Sequence, residues 1–312
     1  MKLINVTTEK VRLFNTLSIE TGSMCNRKCK FCFHRYYKRP DEFMSQKILD
    51  KIYEELRVLK YNGRIELQNY NEPIRDKRLP EIIRSIKEAA PRCSIMINTN
   101  GDYIKDKEVI KKLFKAGLNQ MAINCYDDNK ERRDRMVKYC MELKDELDLQ
   151  LGEGIYHHSG KRIVDVVDKS KFIEEGNRSL FNYKKLDKKY NNINNNGGAL
   201  VGKIKGVGKP NTEKLCVLPF RKATIRWDGN VILCCQHPTG EVNFGNLMDN
   251  TIIECWNSEI ANFYRLHLQN KQRNHLIGCN KCSHFGGFYQ HMISKITFGE
   301  KKDKELLKIS LI

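Results

Sequence analysis

From Asn15 to about Leu151, short runs rich in Ile, Leu and Met alternate with stretches whose apolar residues recur every three or four positions. That order predicts an α/β fold, in which a parallel sheet is covered by helices. Five strands are expected: TLSIETG (16–22), GRIELQN (63–69), CSIMINT (93–99), QMAINCY (120–126) and LQLGEGIY (149–156). Between them, Ile48, Ile52, Leu56 and Leu59 mark a helix that Ser45 can cap. Ile82, Ile83 and Ile86 mark a second helix, and Val109, Ile110, Leu113 and Phe114 a third that Gly117 can close.

From about Tyr156 to Leu215 the pattern fades into Lys- and Asn-rich sequence, including NNINNNGG at 191–198, and a loop-rich connection is expected. Beyond Cys216, RKATIRW and NVILCC flank Asp228-Gly229, a dipeptide that favours a tight hairpin turn. An amphipathic stretch from about Asp249 to Leu268 precedes Cys279 and Cys282. The chain therefore divides into residues 1–195, an α/β unit, and residues 196–312, a smaller hairpin-plus-helix unit.

With 312 residues, of which 40% are hydrophobic and 30% charged, the chain can bury a sizeable core. No run of about 18 apolar residues occurs, and MKLINVTTEKVRLF carries charges where a signal peptide needs its apolar stretch. No membrane association and a cytoplasmic location are expected. The 56 Lys and Arg exceed the 38 acids and leave a formal charge of +18, which favours an anionic partner. Because the basic residues are spread over helices and loops without a zinc-finger or RNP pattern, a nucleic-acid module is the weakest reading.

Twelve cysteines without a secretion signal favour metal or redox chemistry over disulfides. Cys25, Cys29 and Cys32 stand as C-x3-C-x2-C. Three thiolates in one loop can hold three irons of a [4Fe–4S] cube and leave the fourth open. An open iron can chelate the amino and carboxylate groups of S-adenosylmethionine (SAM) and release a 5′-deoxyadenosyl radical. A structural zinc would want a fourth ligand, and the triad has none nearby. Cys93, Cys125, Cys140 and Cys255 are singletons that read as interior packing residues.

These residues resemble the radical SAM superfamily. Phe31 is the aromatic before the third cysteine, and Arg39-Pro40 and Met44 look like residues that follow this loop in many members. Tyr70-Asn71-Glu72-Pro73 is similar to the family's Gly-Glu-Pro element, which implies that Asn71 and Glu72 meet the SAM amino group. Thr99-Asn100-Gly101 resembles the turn that approaches the ribose, and Asn124 is a candidate for the SAM carboxylate. The resemblance implies a partial (β/α)6, TIM-like barrel with one strand more than the five found.

Cys216, Cys234, Cys279 and Cys282 can close a cluster completely, and with the hairpin they resemble the twitch module, the short form of the SPASM domain. That implies a second, auxiliary [4Fe–4S] cluster, with zinc as the alternative for four thiolates. On a strand only one of Cys234 and Cys235 faces a cluster, so Cys235 is either a buried packing residue or a hydrogen donor to a substrate radical. Glu153, Tyr156, His157 and His158 lie at the end of the fifth expected strand, where Glu153 or a histidine could act as base. Many relatives read Asn-Arg before the two glycines where this chain has Asn195-Asn196-Gly197-Gly198.

The reading is a radical SAM oxidoreductase that oxidises a carbohydrate-like or cyclitol molecule, with an auxiliary cluster taking an electron. It resembles the dehydrogenases of aminoglycoside biosynthesis. A peptide- or sugar-modifying enzyme or epimerase that uses Cys235 is the alternative. Either version implies a small-molecule or peptide substrate, which the positive charge would let be anionic. Each also implies an external electron donor such as flavodoxin or ferredoxin.

Overall fold

A computed structural model describes residues 13–152, 162–169, 178–179, 196–204, 207–210, 212–213 and 215–284. Its first half alternates strand and helix: β1 (Thr16–Ile19), α1 (Gln46–Val58), β2 (Arg64–Glu66), α2 (Leu79–Ala89), β3 (Ser94–Thr99), α3 (Lys107–Lys115), β4 (Gln120–Cys125) and α4 (Lys130–Leu143). Then come β5 (Leu149–Leu151), β6 (Arg162–Asp168) and β7 (Arg178–Ser179). The second half holds α5 (Leu218–Arg221), β8 (Lys222–Ile225), β9 (Asn230–Ile232), β10 (Asn243–Asn246), α6 (Ile252–Trp256) and α7 (Glu259–Gln269).

All ten strands form one sheet in the order β10-β9-β8-β1-β2-β3-β4-β6-β5, with β7 beside β6. The pairs from β8 to β5 are parallel, whereas β9 and β10 return antiparallel. Alternation along the strands divides the sheet's two faces. Leu17, Ile19, Ile65, Ile95, Ile97, Met121 and Ile123 join Ile52, Leu56, Ile83, Ile110 and Phe114 of the helices in the main core. The intervening positions, among them Ser18, Glu66, Gln120, Asp165, Lys222 and Thr224, point into the barrel. There, among the described residues, Met96, Ala122 and Ile163 make a small apolar cluster. The lumen is thus lined largely by polar groups.

The predicted helices form where the apolar spacing places them. Ser45 caps α1 by accepting from Ile48 N at 3.3 Å, and Gly117, at φ +113°, ends the turn after α3. The fifth expected strand is short in the described residues, ending at Leu151 and lying at the sheet edge. Its neighbour is β6, which the Lys- and Asn-rich composition had hidden in a supposed loop. Asp165 faces the lumen, and RIVDVVD buries Val164 and Val166 in the main core. The amphipathic stretch after Asp249 is also two helices. Thr251 and Glu254 form a capping box at α6, and Ser258 accepts from Ala261 N to begin α7.

The hairpin is hydrogen-bonded to the barrel. β8 pairs with β1 over four residues, and Glu20 N donates to Ile225 O at 2.8 Å. Phe14, just before β1, meets the edge of Trp256 with centroids 5.2 Å apart. No helix among the described residues is long and apolar enough to cross a membrane.

Candidate active site

Cys25, Cys29 and Cys32 stand on the loop after β1, at the carboxyl end of the parallel strands, where such barrels assemble their sites. Cys32 N donates to Cys29 O at 3.0 Å, which curls the loop back on itself. Burial pushes the Cys25 and Cys29 thiols up to about 11, and the neighbouring thiols of the triad add to it; burial also raises Cys32. Bare thiols therefore stay protonated here. Metal coordination reverses this, because a bound cation deprotonates its thiol ligand outright.

The loop is held by an ion network that sequence spacing did not reveal. Arg27, inside the C-x3-C, donates to both oxygens of Asp102 at 2.6 Å and to Asp127 at 2.6 Å. Arg132, in the first turn of α4, closes the network on Asp127 at 3.0 Å and on Asp102 at 3.0 Å. The cysteine loop is thereby tied to the ends of β3 and β4. These partners lie 75 and 100 positions from Arg27, so no local pattern could have exposed them.

Glu72 is 4% exposed. Its carboxylate accepts from Thr99 Oγ1 at 2.6 Å, Asn100 N at 2.7 Å and Ile74 N at 3.1 Å. Burial outweighs those bonds and lifts its pKa to about 7. Asn100 reaches Cys25 Sγ at 3.6 Å, so the Gly-Glu-Pro-like and Thr-Asn-Gly elements meet beside the triad. Asn71 is turned to the scaffold, donating to Thr21 Oγ1 and accepting from Asn69 N. Asn124 lies 3.4 Å from Thr99 O. Phe31 packs on Tyr126, with centroids 5.4 Å apart, and Lys169 stands over the same ring at 5.4 Å. Burial lowers Lys169 to about 8, against the pull of the Cys29 thiol.

The later cysteines converge on one cavity, lined by Cys216, Cys234, Cys279 and Cys282 with Gly197, His237 and Arg273. Burial raises all four thiols, to about 11 for Cys216 and about 12 for Cys279. Gly278, at φ +73°, is required: a Cβ there would lie 2.4 Å from the His237 ring. Among the described residues no three Cys, His, Asp or Glu side chains are set to hold a single metal ion. A cube takes one thiolate at each of its four irons, and these four cysteines offer that number around one cavity. Cys235, half-buried, is absent from the cavity lining.

Arg39 and Tyr70 connect the halves. Arg39 makes a buried bidentate pair with Glu20 at 2.8 and 2.5 Å and lies over the Trp227 ring at 4.2 Å. Burial raises the Tyr70 hydroxyl well above its ordinary pKa, and the thiols of Cys235, Cys32 and Cys234 add to the shift. The Tyr70 ring packs on Phe33, the residue after Cys32, with centroids 5.6 Å apart.

Residues 19–143 match the radical SAM superfamily and residues 216–283 the SPASM iron–sulfur cluster-binding domain. The chain carries a radical SAM domain and a SPASM domain. Such proteins use SAM and [4Fe–4S] clusters, and both cysteine sets fit that requirement. The chain is 23% identical over 273 residues to the S-adenosyl-L-methionine-dependent 2-deoxy-scyllo-inosamine dehydrogenase of Niallia circulans, covering 87% of this chain and 94% of the other. It is 21% identical over 311 residues to a tungsten-containing aldehyde ferredoxin oxidoreductase cofactor-modifying protein of Pyrococcus furiosus, covering 81% and 84%. The crystal structure of BtrN with AdoMet and 2-DOIA shares the fold, with a TM-score of 0.66, 22% identity, and coverage of 88% and 94%.

Of the other expected site residues, Glu153, Tyr156, His157, His158 and Asn195 lie outside the described residues. Cys125 packs in the main core, as do Cys93, Cys140 and Cys255. Sequence reasoning missed Lys222 and Glu66, which pair in the lumen at 2.5 Å, with Arg64 at 3.3 Å. A lone lysine and a lone glutamate 156 positions apart carry no signal until the sheet brings β8 and β2 to either side of β1.

Proposed function

We propose that the protein is a radical SAM dehydrogenase that removes two electrons from an alcohol carbon of a small cyclitol or carbohydrate-like molecule. The observation that carries this reading is the place of Tyr70: its half-buried ring packs on Phe33, the residue after Cys32, with centroids 5.6 Å apart, and Cys235 and Cys234 of the hairpin help to raise its hydroxyl pKa. A substrate beside it would stand between the triad and the auxiliary set. When bound, SAM and the two clusters supply a hydrogen-abstracting radical and an acceptor for the second electron. The substrate gives up a hydrogen atom from carbon, the hydroxyl proton to solvent and one electron, which balances an alcohol becoming a ketone.

Glu72 would hold the SAM ammonium, with Asn71 bracing the segment from the scaffold side, while Thr99 and Asn100 approach the ribose and Asn124 the carboxylate. Phe31 would keep water from that side. Ser18, Glu66, Gln120, Lys222 and Thr224 offer the lumen's donors and acceptors to hydroxyl and amino groups. Lys222 is already paired with Glu66, so the lumen suits such a molecule better than a phosphorylated one. The named action of the Niallia circulans relative on an inosamine supports the same class. The first electron must come from an external donor such as flavodoxin or ferredoxin, since SAM cleavage takes one electron before the substrate releases one.

A second reading rests on Cys235, which stands outside the auxiliary cavity and near Tyr70 and Lys222, where it could return a hydrogen atom. Turnover of aminocyclitols in heavy water separates the two. Oxidation yields one 5′-deoxyadenosine per product, two hydrogens lighter and free of deuterium. A product of unchanged composition that gains one deuteron, lost in Cys235→Ala, would replace dehydrogenation with epimerisation.

A further inference from the structure

We propose that an acidic electron-carrying protein docks on the first cysteine loop through Lys28, Lys30, Arg35 and Lys38. The inference rests on the radical SAM reading and assigns the surface through which its electron enters. From Ser23 to Pro40 the chain has six lysines and arginines and no aspartate or glutamate. Two of the six are spent internally, Arg27 on Asp102 and Asp127, and Arg39 on Glu20. The other four are exposed and make no ion pair among the described residues. Asp41, next in the chain, is neutralised by both Arg75 nitrogens at 2.6 Å.

A solvated basic face is the ordinary meaning of surface lysines, and elsewhere the chain shows it. On α3, Lys107 meets Glu142 at 2.8 Å and Lys111 meets Glu146 at 2.7 Å, both acids lying on or just after α4. Among the described residues Lys28, Lys30, Arg35 and Lys38 have no such counter-charges. Arg35 Nη1 donates to Lys28 O at 3.2 Å, which keeps two of the four cations together despite their repulsion. An acidic partner would relieve that repulsion and be steered by it.

Burial decides which cysteine set such a partner serves. Cys25, Cys29 and Cys32 are only half-buried, whereas Cys216, Cys234, Cys279 and Cys282 are 6–8% exposed. A protein too large to enter the barrel comes close to the first set alone. Its reduced flavin or iron–sulfur group passes one electron to the triad's cluster and leaves oxidised by one electron; no atoms move. The partner is therefore a low-potential, negatively charged one-electron carrier.

The test uses the reconstituted holoenzyme, reduced flavodoxin as the acidic donor, and reduced methyl viologen, a small cation, as control. Between about 20 and 300 mM KCl, flavodoxin-driven kcat/KM for 5′-deoxyadenosine formation should fall at least about tenfold, with viologen-driven cleavage changing less than about twofold. Lys30→Glu/Lys38→Glu should reproduce the tenfold loss at low salt for flavodoxin only. A salt-insensitive flavodoxin rate in the wild type overturns the proposal, as does an unchanged flavodoxin rate in the variant. If the variant loses both activities its loop is damaged, and the wild-type salt series decides. Failure of SAM cleavage with viologen would instead strike the radical SAM reading; anisotropy of labelled oxidised flavodoxin, with its salt dependence, still reads docking in that case.

Discussion

Glu72 shows how much one side chain depends on its surroundings. A carboxylate lifted from 4.5 to about 7 costs the empty fold roughly 3 kcal/mol above that pH. Because the folded chain holds that proton more tightly than the unfolded one, stability falls as pH rises from about 4.5 through 7. In SAM-free protein, urea unfolding at pH 5 and pH 8 should show this fall, and Glu72→Gln should remove up to roughly 3 kcal/mol of it. An unchanged difference between the two pH values would show that Glu72 is not the group responsible. If SAM's ammonium offsets the cost, the variant should also bind SAM about ten- to a hundredfold more weakly at pH 8. For the thiols, Cys25→Ala/Cys29→Ala/Cys32→Ala should abolish 5′-deoxyadenosine formation and halve the iron content to about four per chain. SAM cleavage surviving in that variant would refute the assignment of the triad.

Among the elements, α7 is tied to the segment before Cys279, with Tyr264 Oη donating to Ile277 O at 3.2 Å. Arg265, 2% exposed, lies over the Trp256 ring at 4.0 Å and donates to Trp256 O at 2.6 Å and Pro219 O at 2.9 Å. It joins the last turn of α6 to α5, which follows Cys216. Arg265→Met would keep much of the packing but leave two buried carbonyls without their charged donor. The expected loss is about 2–4 kcal/mol in denaturant unfolding, with auxiliary-cluster occupancy falling before that of the triad. Equal loss of both clusters would mean that Arg265 supports the whole sheet rather than the SPASM half. β6 makes a related point about strands. The Lys- and Asn-rich sequence around it hides it from a reading by composition, although Val164 and Val166 complete the core.

At the scale of the whole molecule, β8 on β1 makes the barrel and the SPASM hairpin one sheet. They should unfold together. Both tryptophans, Trp227 and Trp256, lie in the second half, whereas far-ultraviolet circular dichroism is dominated by the longer helices α1 to α4. In urea the two signals should give one midpoint, and separated transitions would show that the β1–β8 pairing does not couple the halves. The order of strands and helices through β4, the Ser45 cap of α1, the Gly117 turn after α3 and the spacing of both cysteine sets were legible in the sequence, because periodicity, capping and ligand spacing are local properties of a chain. The place of β6, the Arg27–Asp102–Asp127–Arg132 network, the Lys222–Glu66 pair and the position of Tyr70 were not. Each depends on residues far apart in sequence being brought together by parallel strand pairing, and a charge shows whether it is paired, buried or exposed only once its neighbours are in place.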